Sequence, residues 1–288
     1  MPGKRGFIAA AISCAILLLG AGGAIAQGTL STEQISKIIQ SPDRSAADRT
    51  NDQRRKPEQM LAFIGIRPGV TAVDVSAAGG YTTELLARAI GPAGKVFGQS
   101  QPRDPNRAPP AAPEGNSNPS ASAAPAPQPA RPAGPPRPSA EALAGREASM
   151  KAAGIEAAPI VAVSRPFADP VPPELAGQID LVTLMFNYHD MGHLGVDRTA
   201  MNKAVFAALK SGGHYVIADH AGRAGTGISE SGTLHRIEEA FLRQEVEAAG
   251  FKLAEEGNFL RNPNDPRDKN TPDPPQPKDE FVLKFVKP

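Results

Sequence analysis

Val73-Asp74-Val75-Ser76-Ala77-Ala78-Gly79-Gly80-Tyr81-Thr82-Thr83-Glu84-Leu85-Leu86-Ala87 reads as a short apolar strand, a turn of small residues and the start of an amphipathic helix. Open α/β sheets hold nucleotides at such a corner, where the strand's carboxyl end meets the amino end of the helix.

Working outward from the corner, strands and helices alternate. Upstream, Ser31 to Ile39 is a short helix that Ser31 or Thr32 can cap. Ser41 to Lys56 is dense in charge and predicts a solvated helical face with i,i+4 pairing; the alternative is a lid whose arginines face a ligand. Glu58 to Ile64 continues as helix and stops at Gly65 and Pro68-Gly69. Downstream, Lys95 to Gln99 is a second strand. From residue 102 to 139 the chain is Pro/Ala-rich with little to bury, a disordered surface insertion. A helix near 140–153 leads to a third strand at Pro159 to Val163, and Ile179 to Phe186 is a fourth, apolar on both faces. A helix over Asp197 to Leu209 stops at Ser211-Gly212-Gly213, and His214 to Asp219 follows as a fifth strand. A long helix over Leu234 to Ala249 precedes strands at Phe251 to Glu256 and Glu280 to Val286. The fold class is therefore α/β: a doubly wound, mostly parallel Rossmann-like sheet of about seven strands. No helix separates the last two, so the final strand is antiparallel.

The chain has 288 residues, and its start follows the export pattern. Lys4 and Arg5 precede an apolar run from Phe7 to about Leu19, and Ala24-Ile25-Ala26 offers a cleavage site before Gln27. The run is shorter than the ~20 residues of a spanning helix. Residues 1–26 are thus expected to be a signal peptide, the mature chain periplasmic or secreted, and no membrane span to remain. Cleavage removes Cys14, the single cysteine, and with it any disulfide or thiolate site. The formal charge of +1, less the two positive charges of Lys4 and Arg5, becomes −1. Such a balance gives no reason to expect nucleic acid or anionic membrane as partner. The oligomeric state cannot be read from the sequence.

The order of elements resembles the class I methyltransferases, which bind S-adenosylmethionine, and among them a group of exported bacterial predicted methyltransferases. The likeness runs from Ser41 to Lys287 without the insertion. It is carried by the Asp74–Ala87 corner, Phe186-Asn187-Tyr188-His189-Asp190, Leu209-Lys210-Ser211-Gly212-Gly213, Asp219-His220 and Leu260-Arg261-Asn262-Pro263. The resemblance implies that Asp74 holds the acidic place ending the first strand, while Ser76, Ala78 and Gly80 occupy three places usually taken by glycine. Gly79 and Gly80 keep the turn possible, and Ser76 and Ala78 narrow the pocket. The family grips the adenosyl ribose with a carboxylate ending the second strand, whereas this chain has Gly98-Gln99-Ser100-Gln101. Gln99 or Ser100 is then the neutral substitute, weaker by about 1–2 kcal/mol, or about tenfold in affinity.

Asn187-Tyr188-His189-Asp190 follows the fourth strand at the edge where such sheets bind ligands. In the methyltransferase reading, a neutral His189 is the general base and Asp190 orients it. Asn187 positions the acceptor, Tyr188 walls the methyl path, and Asp219 and His220 support them from the fifth strand. The acceptor is a small molecule or envelope component. His214 and His235 have weaker claims. His189 and His193 stand at i and i+4, as in zinc peptidases, but Asp190 replaces the usual Glu and Gly192 argues against a helix there. No metal ligands are assigned. The alternatives are a metal-dependent enzyme using His189, His193, Asp219 or His220, and a non-catalytic binding module on the same fold.

Overall fold

A computed structural model describes residue 3 and residues 28–102, 138–272 and 274–288. The expected signal peptide, apart from residue 3, and all but the ends of the Pro/Ala-rich insertion lie outside the described residues. No helix among the described residues is long and apolar enough to cross a membrane.

Helix α1 (Thr32–Gln40) starts at a capping box: the Gln34 N–H donates to Ser31 Oγ at 3.2 Å, and the Ser31 N–H donates to Gln34 Oε1 at 2.8 Å. Its Ile35 and Ile39 face inward. Helix α2 (Ala46–Arg55) and helix α3 (Pro57–Ile64) follow, the latter with proline in its first turn and Gly65 in the left-handed conformation at its end. Strand β1 (Thr71–Val75), helix α4 (Tyr81–Ile90), β2 (Lys95–Ser100), α5 (Ser139–Ala152), β3 (Ile160–Ser164) and β4 (Ile179–Met185) complete the first half. The second half runs α6 (Asp190–His193), α7 (Arg198–Ala208), β5 (Leu209–His220), α8 (Glu239–Ala248), β6 (Lys252–Gly257) and β7 (Glu280–Val286).

The seven strands lie in the order β3-β2-β1-β4-β5-β7-β6. The first five are parallel, and β7 pairs antiparallel with both β5 and β6. The expected sheet is present, with one refinement: the last strand slots between β5 and β6, leaving β6 at the edge. One face is covered by α1, α3, α4 and α5 through Ile35, Leu61, Leu86 and Leu143, and the other by α7 and α8 through Met201, Val205, Leu242 and Val246. Strand β4 touches both layers, which explains its unbroken apolar sequence. Strand order reverses between β1 and β4, so their carboxyl ends open a crevice, the usual ligand position of such sheets.

Two expectations are corrected. Strand five begins at Leu209, before the Ser211-Gly212-Gly213 stop. The helix predicted from Leu234 begins only at Glu239, because residues 221–238 fold back onto the end of β5. Ile237 donates to the His220 carbonyl at 3.1 Å and Gly222 to the Ile237 carbonyl at 2.7 Å.

Candidate functional site

At the end of β1 the chain turns through alternating left-handed residues: Ser76 (φ 61°), Ala78 (φ 47°) and Gly80 (φ 78°). The three glycine places thus keep the glycine conformation although two carry side chains. Each such non-glycine residue costs roughly 1–2 kcal/mol. Asp74 is buried and accepts hydrogen bonds from Thr83 Oγ1 (2.6 Å) and Thr183 Oγ1 (2.8 Å), joining β1 to α4 and β4. Burial pushes its carboxyl up to about 6, against the pull of the two threonine hydroxyls.

Gln99 does not face a ribose site. It is fully buried, its Oε1 accepts the Ser76 N–H at 3.0 Å, and its Nε2 donates to the Arg165 carbonyl at 2.7 Å. It braces the turn against the end of β3, which leaves Ser100, at the end of β2, as the remaining neutral candidate. Gly80 is hemmed in by α5. A Cβ there would meet Leu143 Cδ2 at 2.7 Å and Arg146 Cδ at 2.8 Å, whereas a Cβ at Gly79 would meet nothing within 4 Å.

The charged stretch before β1 does keep a solvated face, with Ala47, Arg49, Thr50 and Gln53 exposed, but among the described residues it makes no i,i+4 ion pair. Its charges reach across the fold: Asp43 to Arg88 at 2.5 Å, Asp48 to Arg146 at 2.9 Å, Arg54 to Glu280 at 2.6 Å. Arg44 pairs with Asp52 at 2.7 Å, and the Tyr81 hydroxyl donates to the same carboxylate at 2.6 Å. These bonds clamp α2 over the crevice. Arg54 and Arg55 then lie over the Phe186 ring, at 4.7 and 4.8 Å from its centre, and Arg55 also lies 5.2 Å from that of Tyr81. Burial and the neighbouring Arg54 lower the Arg55 pKa to about 10. Arg54 Nη2 and Arg55 Nε are buried and have no hydrogen-bond acceptor among the described residues.

Beyond β4, Phe186 itself has φ 60°, an outlier for a bulky residue. The chain then enters Asn187-Tyr188-His189-Asp190. His189 is held from behind by Asp219: its N–H donates to Oδ2 at 2.7 Å, and its Nδ1 lies 2.6 Å from Oδ1. Its Nε2 lies 3.1 Å from Asp190 Oδ1. Burial opposes charge on this imidazole, but the carboxylates of Asp219 and Asp190 outweigh it and raise the pKa to about 9. The expected neutral base is therefore a protonated imidazole clasped between two carboxylates. Asp190 is itself lowered, with burial opposing and His189 and His235 prevailing.

Tyr188 departs from its expected role. It is buried beneath the edge, donating to Glu245 Oε2 at 3.0 Å and accepting from Asn202 Nδ2 at 2.8 Å, so it walls no path at the crevice. Asn187 does face the site, accepting from the Ser76 hydroxyl and donating to Asp190 Oδ2. His220 is buried, which together with Lys278 and His189 pushes its pKa well down. Its Nδ1 is 3.0 Å from Glu280 Oε1, within ion-pair distance, yet makes no aligned hydrogen bond. A neutral His220 matches both facts. His214 pairs with Val286 at the opposite end of β5, away from the cluster.

The metal alternative changes membership. One helical turn, α6, does form, with His189 as its N-cap and His193 as its last residue. Both Asp219 oxygens are taken by the backbone and ring of His189 and by the His220 N–H (2.8 Å). Donor atoms of His189, Asp190 and His235 instead lie within 4.8 Å of one another. His235 carries no local signal because its loop joins the cluster only in three dimensions, whereas Arg54 and Arg55 lie over Phe186 as the lid alternative for the charged stretch expects.

No protein-family model matches the chain, and no curated protein matches it in sequence. Among solved structures, a SAM-dependent methyltransferase from Aquifex aeolicus aligns over 90% of this chain and 100% of its own, with 13% identity and a TM-score of 0.51. A chain from the complex of the Haloferax volcanii Trm112 methyltransferase activator aligns over 90% and 100%, with 16% identity and a TM-score of 0.50. Together with the strand order, these likenesses establish that the chain has the class I methyltransferase fold.

Proposed function

We propose that this chain transfers a methyl group from S-adenosylmethionine to a small molecule or envelope component, outside the cytosol, as one of an exported bacterial group. Fold alone would not support this, since one fold hosts many activities. The observation that carries the reading is the turn at Ser76, Ala78 and Gly80, held left-handed despite two side chains. Strain of this kind persists where a ligand site needs the backbone geometry.

The residues present fit the cofactor at one end. Arg54 Nη2 and Arg55 Nε are buried N–H groups without acceptors, next to Phe186 and Tyr81 at the crevice. An amino-acid carboxylate would satisfy them. When bound, the sulfonium supplies an activated methyl group. Asn187, tied to both Ser76 and Asp190, fixes the edge facing the acceptor. His189 has both ring nitrogens against carboxylates and is not placed to accept an acceptor's proton. Its part is to hold Asp190 in position, so rate enhancement rests on alignment of the reactants rather than on a base.

A second reading, a non-catalytic binding module, is favoured by Gln99, whose amide is consumed inside the protein where the family places a ribose-gripping carboxylate. Calorimetric titration of the purified chain with S-adenosylhomocysteine tests the cofactor site. Micromolar affinity is the expected result, and no heat at millimolar ligand would overturn it. Binding without turnover on any acceptor tried would favour the module.

A further inference from the structure

Asp190 stands at the centre of a convergent donor set that cofactor binding does not require. Asp219 behind His189 takes the Nδ1 proton, at 2.6 Å, so that Nε2 is the nitrogen directed forward, and a cation that displaces its proton meets the lone pair there. Forward of it lies Asp190 Oδ1 at 3.1 Å, and His235 Nδ1 lies 3.1 Å from the same oxygen. The three donor atoms lie within 4.8 Å of one another. Without metal, protons on the two imidazoles bridge these contacts to the carboxylate, and one divalent cation can take their place among the same donors. Zinc with ligands at about 2.0–2.2 Å has tetrahedral edges of about 3.3 Å, close to both 3.1 Å separations.

The surroundings hold these donors in place. Asn187 Nδ2 takes the other Asp190 oxygen, leaving Oδ1 for the centre. His235 has φ 50°, and the next residue, Arg236, is fully buried, paired with Asp265 at 2.9 Å and donating to the Ala221 carbonyl at 2.9 Å. That anchor presents His235 to Asp190 across 45 residues of chain. Ser231 donates to the His189 carbonyl at 2.7 Å and lies 3.1 Å from His193 Nδ1, so His193 is held aside.

We propose that His189 Nε2, Asp190 and His235 bind one divalent first-row cation, with Asp219 as the outer partner that orients His189. Two imidazoles and one carboxylate are a donor set for Zn2+ or Fe2+ rather than Mg2+ or Ca2+, and the fourth position is left to water. The site is independent of cofactor binding, because none of its ligands is needed to hold the cofactor.

The test is calorimetric and elemental titration of the full chain with Zn2+, repeated on His235→Ala and Asp219→Asn, with His214→Ala as control. One zinc per chain is expected, with affinity unchanged in His214→Ala. His235→Ala should lose at least a hundredfold, and Asp219→Asn about 10–100-fold. Cobalt substitution should give the visible bands of a four-coordinate nitrogen–oxygen site, and these should vanish in His235→Ala while its circular dichroism stays native. No stoichiometric metal in the native chain, meaning that protons alone occupy the cluster, would overturn the proposal, as would native-like affinity in His235→Ala. S-adenosylhomocysteine affinity measured on the same variants should not change, which separates this result from that of the cofactor titration.

Discussion

The hydroxyl of Ser76 donates to the carboxamide oxygen of Asn187, 111 residues away, and so ties the left-handed turn after β1 to the polar segment after β4. Because the Asn187 nitrogen donates to Asp190, one side chain links the turn after β1 to the histidine cluster.

Ala78 offers the cleanest measure of strain at the corner. It is exposed, and its φ is 47°. Ala78→Gly should relieve the left-handed penalty and lose part of the gain to the more flexible unfolded chain, for a net stabilisation of about 0.5–1 kcal/mol. It should also widen the pocket and tighten S-adenosylhomocysteine binding. Thermal unfolding and calorimetry read both effects, and a lowered melting temperature would contradict the strain.

Placing a carboxylate at the end of β2 should fail at Gln99. In Gln99→Glu the acid would face the Arg165 carbonyl that now accepts from Nε2, in a buried position. A loss of about 1–3 kcal/mol in stability is expected, with no gain in ligand affinity. Chemical denaturation settles the first point, and a tighter nucleoside complex would show that Gln99 faces the ligand after all.

The two crevice arginines should separate in their effects. Arg54 pairs with the buried Glu280 at 2.6 Å, so Arg54→Leu leaves an uncompensated buried charge and should cost about 3–5 kcal/mol. Arg55 makes no ion pair among the described residues and lies over the rings of Phe186 and Tyr81. Arg55→Leu should keep near-native stability and weaken S-adenosylhomocysteine at least tenfold. Equal affinity in Arg55→Leu would remove it from the cofactor site.

Asp74 gives a pH signature. Its carboxyl is raised from 3.8 to about 6 by burial, so the native state holds this proton more tightly than the unfolded chain. The stability it contributes is full below about pH 4 and is lost as pH rises through about 6. Stability measured against that of Asp74→Asn should therefore fall by about 2–3 kcal/mol between pH 4 and pH 7. Parallel pH profiles for the two proteins would show that Asp74 does not titrate there.

Much of the fold was legible because it rests on short-range causes. The Ser31 cap, the small residues after β1, the doubly apolar β4 and the strand–helix alternation each follow from local sterics and periodicity, and the sheet assembled as expected. The turn at Ser76 to Gly80 could likewise be located from residue size alone. What each polar side chain meets could not be read this way. Gln99 turned inward to Arg165, Tyr188 sank toward Glu245, and Arg54 found Glu280 across 226 residues. His235 joined His189 around Asp190 only because a loop anchored by Arg236 folds back onto β5. A backbone's local preference is set by its neighbours in sequence. A buried polar group must take whatever partner the packed fold brings within hydrogen-bond reach, and that partner is chosen by tertiary structure.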